Sequence, residues 1–136
     1  MKRRALIVAL IFAVCTAAAP RPALAHHAVQ KVFDLTRPIT VTGAITEVEW
    51  VNPHSYLSVE VKDVKGAAQQ WTFELPGPAT LRAAGLSSDN RSLKPGDVVT
   101  IDAFAAKDGT PAGFVYKVHT RDGRTFDLMN RDAHSR

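Results

Sequence analysis

The chain has 136 residues, 46% of them hydrophobic, a size that suits one domain built around one modest core. Of its 17 basic residues, Lys2, Arg3, Arg4 and Arg21 precede His26 and no acidic residue does, so the net charge of +4 belongs to the first 25 residues. From His26 onward 13 basic residues balance 13 acidic ones, which excludes nucleic-acid binding through a general basic field.

Residues 1–25 read as a secretory signal peptide. Met1-Lys2-Arg3-Arg4 is a positive start, and Ala5 to Ala19 is an apolar run of 15 residues. A spanning helix needs about 20 residues, so no stable membrane insertion is expected. Pro20-Arg21-Pro22 breaks the run, and Ala23 and Ala25 supply the small residues that a peptidase needs. Arg3-Arg4 lacks the flanking residues of a twin-arginine signal, and Val14 before Cys15 is wrong for a lipoprotein anchor. Cleavage near Ala25 predicts a periplasmic or secreted protein. It also discards Cys15, the one cysteine, and with it disulfides, zinc–thiolate sites and cysteine catalysis.

Residues 26–37 have weak periodicity and are expected to form an extended arm. From Ile39 to Trp50 the chain is rich in β-branched residues and alternates apolar with polar, as a strand does. The parity drifts after Gly43, which predicts a bulge or bend there. Asn52-Pro53-His54 interrupts the pattern, because proline fixes its own φ and restricts the residue before it. Ser55 to Asp63 and Gln69 to Leu75 are the next strands; Trp71, Phe73 and Leu75 share one face and read as core. Pro78 opens and Gly85 closes a short helix over Ala79 to Ala84. Lys94-Pro95-Gly96-Asp97 has the composition of a type II turn. Val98 to Ala106 and Gly113 to Thr120 are strands four and five, and Asp122-Gly123 turns into a short strand around Thr125 to Leu128. Residues 130–136 are expected to be a flexible tail. Three strands, a short helix, then two strands and a small hairpin predict an all-β fold with one short helix. The expected architecture is an OB-like five-stranded barrel over residues 38–129, with an antiparallel β-sandwich as the competing architecture.

The chemistry-bearing residues are the histidines, five in number: His26, His27, His54, His119 and His134. A cut after Ala25 would leave a free α-amine beside the His26 imidazole, a chelate suited to a borderline divalent ion. An arm of about 12 residues can reach roughly 40 Å, enough to meet His54 in the turn between the first two strands. A terminal amine with His26, His27 and His54 suits Cu(II), then Zn(II), and Asp34 could complete the set. A cut one residue earlier puts a histidine third, which also favours copper. Each member has a plain structural role as well. His26-His27 can be a solvated tail and Asn52-Pro53-His54 a rigid turn, while His119 reads as a rim residue and His134 as part of the tail. Trp50, Asn52 and Tyr56 flank His54 and could line a shallow site for a small ligand or a periplasmic partner, although rim or core packing is the plainer explanation of the two rings, since half-buried aromatics are ordinary in strands. No His-Glu-x-x-His, phosphate-cradling glycine loop or nucleophile elbow is present, so the expectation is a binding module and no catalytic residue is assigned.

Three groups of residues carry a family resemblance. They are Ala25-His26-His27, the run Thr42 to Trp50 with Asn52-Pro53-His54, and Leu93 to Val99 with Lys107-Asp108-Gly109. Together they resemble the exported bacterial proteins of the uncharacterised family DUF6152. The resemblance implies a small exported β protein with a histidine pair near its start. It supplies no activity, substrate or catalytic residue. Members often carry an aromatic residue soon after the pair, where this chain has Ala28-Val29.

Overall fold

The computed structural model describes residues 23–89 and 92–129. Its elements in chain order are helix α1 (Ala23–Val32), strands β1 (Phe33–Glu49), β2 (His54–Lys62) and β3 (Ala68–Pro76), helix α2 (Pro78–Ala83), and strands β4 (Val98–Ala106), β5 (Ala112–Thr120) and β6 (Thr125–Asp127). The strands run in the order β3-β2-β1-β4-β5-β6. A parallel pairing of Thr72, Phe73 and Glu74 on β3 with Ala112, Gly113 and Phe114 on β5 closes the first five into a ring. That ring is the expected small OB-like barrel, with β6 added as a hairpin outside it. Closure also removes the sheet edges that an open sandwich would leave.

β1 serves both halves of the ring. Pro38 to Ala44 pair with Phe104 to Val98 of β4, and Ala44 to Glu49 pair with Glu60 to Tyr56 of β2. The handover falls beside Gly43, against which β2 presses closely. The expected irregularity lies slightly further on: the register slips between Ile45 and Glu47, so Thr46 is the extra residue. Lys94-Pro95-Gly96-Asp97 forms the expected turn. The Asp97 amide donates to the Lys94 carbonyl at 3.1 Å, and Gly96 takes a φ of 91° that a side chain would resist.

The barrel interior holds Ile45, Leu57, Val59, Phe73, Leu75, Val99, Ile101, Val115 and Val118, all buried. They alternate with outward residues along their strands except on β5, where the extra residue Tyr116 shifts the register and lets both Val115 and Val118 face inward. Trp71 packs against this core beside Phe73, with ring centroids 5.7 Å apart and nearly parallel. Leu81 of α2 is fully buried in the same cluster, a burial that contributes about 1.5–3 kcal/mol.

The amino-terminal segment differs from the expected extended arm and adds a second helix. Ala23 to Ala28 is rich in alanine and leucine, good helix formers. A helix this short is marginal alone, so packing must hold it. Val29 supplies that packing by entering a second apolar cluster with Phe33, Ala106 and Phe114. Phe33 then begins β1 directly, opposite Ala106. No described helix is long and apolar enough to cross a membrane.

Candidate functional site

His54 is the first residue of β2, placed there by the Asn52-Pro53 turn, whose peptide bond is cis. The turn sits against the end of β3: a Cβ on Gly77 would meet the Pro53 carbonyl oxygen at 2.6 Å and Asn52 Oδ1 at 3.2 Å. On the outward face of β2 the His54 side chain reaches Glu74 of the neighbouring strand, where Nδ1 contacts Oε1. Both side chains are four-fifths buried, at 19% and 20% exposure. A carboxylate oxygen only accepts, so in the neutral ring Nδ1 carries the proton and Nε2 the lone pair. The His54 and Phe114 rings pack edge to face, at a centroid distance of 5.9 Å and 68°. Phe114 also belongs to the cluster that receives Val29 of α1. One ring thus touches His54 and packs with the helix bearing the histidine pair.

Tyr56 is exposed and stands in register between Glu49 of β1 and Glu74 of β3. Asn52 is exposed, and Trp50 is half-buried against the main core. Asp34 is turned to local work: its Oδ1 accepts from the Thr36 amide at 3.0 Å and from Thr36 Oγ1 at 2.6 Å. These bonds, the side-chain one foremost, hold its carboxyl below the ordinary value. His27 is exposed on α1; the His26 side chain and all of His134 lie outside the described residues. Among the described residues, no three His, Cys, Asp or Glu side chains gather into a metal-sized group.

A second histidine pair, on the outside of β4 and β5, was not anticipated from the sequence. His119 Nε2 lies 2.9 Å from Asp102 Oδ2, and Nδ1 lies 3.0 Å from Thr125 Oγ1. Thr40 Oγ1 donates to the other Asp102 oxygen at 2.7 Å. Burial pushes the Asp102 carboxyl up, but the hydrogen bonds from His119 and Thr40 and the His119 charge together bring it below its ordinary 3.8. With Asp102 ionised, Nε2 is the donor to it, and in the neutral ring Nδ1 accepts from the Thr125 hydroxyl. Both nitrogens are engaged, which fits a rim residue and leaves no lone pair for a metal. A carboxyl with a depressed native pKa stabilises the fold above its unfolded value and loses that effect as pH falls through the native one. The gap in thermal midpoint between the wild type and Asp102→Asn is therefore expected to narrow between about pH 5 and about pH 2. A gap that stays constant through that range would contradict the assignment.

Residues 13–115 match DUF6152, described as a family of unknown function. No curated protein matches the sequence. The crystal structure of the mitochondrial single-stranded DNA binding protein Rim1 from S. cerevisiae is similar at 14% identity and a TM-score of 0.49, over 68% of this chain and 98% of that one.

Proposed function

Since the chain belongs to the DUF6152 family, whose description assigns no activity, we propose a function from its own residues: an exported periplasmic module that binds a divalent metal ion of the copper type. In this reading the new terminus at His26 gives its amine and imidazole, and His27 and His54 add further nitrogens. The metal is held or passed on, not used to turn over a substrate. The observation that carries the reading is the His54–Glu74 pair. Metal-binding histidines usually give their other ring N–H to a carboxylate, which fixes the tautomer and raises the basicity of the ligating nitrogen. His54 has that arrangement, with Nε2 as the nitrogen left to ligate. The packing of α1 beside Phe114 adds support, because it brings the segment bearing the histidine pair to the side of the barrel where His54 lies.

The test is a copper titration of protein beginning at a true His26, followed by calorimetry and electron paramagnetic resonance. A one-to-one site with nitrogen couplings is expected, weakened about tenfold or more in His54→Ala and lost when the terminus is extended. Binding no tighter than that of a free His-His peptide would overturn the reading. Zn(II) is the second ion to titrate. The exposed Tyr56 ring between Glu49 and Glu74 favours a second reading, in which the face around Trp50, Asn52 and Tyr56 binds a small ligand or a periplasmic protein. Such a module would be indifferent to both changes.

A further inference from the structure

We propose that Lys107, in the turn between β4 and β5, is the latch that keeps α1 docked and is thereby a positioning residue for the amino-terminal metal ligands; this rests on the metal reading above. Lys107 is 77 positions from Gln30 in sequence, yet its Nζ donates to the Gln30 carbonyl at 2.6 Å. Its backbone amide donates to the Val32 carbonyl at 2.9 Å. These are two of the carbonyls that a helix leaves unsatisfied at its C-terminus, where a cation is also favoured by the helix dipole. The other hold on α1 is Val29, buried with Phe33, Ala106 and Phe114. Ala106 is the neighbour of Lys107, so the apolar contact and the latch come from the same end of β4.

The helix needs such a hold. It has ten residues, no acidic side chain in its first turn and one buried side chain among those described. A cut after Ala25 leaves seven of the ten, too few for a stable isolated helix. Every described contact lies in the C-terminal half, so among the described residues the hold on α1 is at the end that Lys107 engages, and His26 and His27 follow from that end along the helix. Docking and metal binding are then reciprocal: whatever undocks α1 weakens the ion, and the ion protects α1.

Lys107→Met separates this role from simple electrostatics by the sign of its effect. Removing a positive charge near a cation site should tighten binding if Lys107 acts only as a charge; removing a latch should weaken it. In Lys107→Met of the chain beginning at His26, amide exchange over residues 26–32 is expected to speed up about two- to fivefold. Copper affinity should fall by a similar factor, with Lys107→Arg restoring both. Val29→Ala, which changes no charge, should move both quantities in the same direction. Unchanged α1 exchange, or faster exchange with unchanged or tighter copper binding, would overturn the proposal. A wild type that binds no copper would overturn the metal reading and the positioning role together, while the exchange data, collected without metal, decide the latch separately.

Discussion

Phe73→Ala is expected to cost about 3–5 kcal/mol of folding free energy, the range for emptying a fully buried phenylalanine site. Phe73 has no exposed surface and stacks on Trp71. It also faces Gly113 of β5, the central pair of the parallel seam that closes the barrel. A Cβ on Gly113 would lie 3.3 Å from the Phe73 ring, so the ring occupies the volume that the glycine leaves open. With the ring gone, no side chain from Gly113 can fill the space, and the cavity penalty is added to the lost burial. Domains of this size are stable by about 5–15 kcal/mol, so the variant should lose a large share of that margin. Urea titration followed by fluorescence reads the change, and Phe73→Leu should lose clearly less. A loss below about 1 kcal/mol would mean that the β3–β5 seam is not part of the core.

The seam was also the part of the fold hardest to see in the sequence. Strands β2, β3 and β4 announce themselves locally, because Leu57-Val59, Trp71-Phe73-Leu75 and Val99-Ile101 alternate with polar residues. Pro78 and Gly85 likewise bracket α2 within a few positions. The parallel pairing of Phe73 with Gly113 has no local pattern; only the order of elements hints at it. Helix α1 escaped for a related reason. Its one described buried residue, Val29, meets partners from β1, β4 and β5, and Lys107 reaches it from a distant turn. The candidate site divides in the same way. His54 stands out beside Asn52-Pro53, but Glu74 reaches it from β3, and only the register that sets Tyr56 opposite Glu74 brings them together. The pair of Asp102 and His119 requires the β4–β5 register, and Thr125 the β5–β6 register, neither of which a single strand displays.

Gly43→Val is expected to destabilise the protein by about 3 kcal/mol, at the upper end of overpacking costs. Strand propensity alone argues the opposite: replacing glycine with a β-branched residue in a strand gains up to about 1 kcal/mol. The sign is decided by what surrounds the site. A Cβ there would stand 2.4 Å from the Glu60 carbonyl oxygen and 2.6 Å from Val59 Cγ1. The first of these is backbone in a paired strand and cannot rotate aside. To make room, β1 must lift from β2 at the point where it passes from β4 to β2, and the strain falls on the pairs Ala44–Glu60 and Ile45–Val59. Those pairs fix the path of β1 into the Trp50-to-His54 turn, so the change should also disturb the contact of His54 with Glu74. Chemical denaturation gives the stability, and the double variant Gly43→Val with Val59→Ala locates the clash. If the carbonyl is the main obstacle, removing the Val59 methyls recovers little, since Val59 is itself core. Recovery to the level of Val59→Ala alone would put the obstacle in the Val59 side chain, and an increase in stability from Gly43→Val would show that β1 and β2 are not in close approach at Gly43.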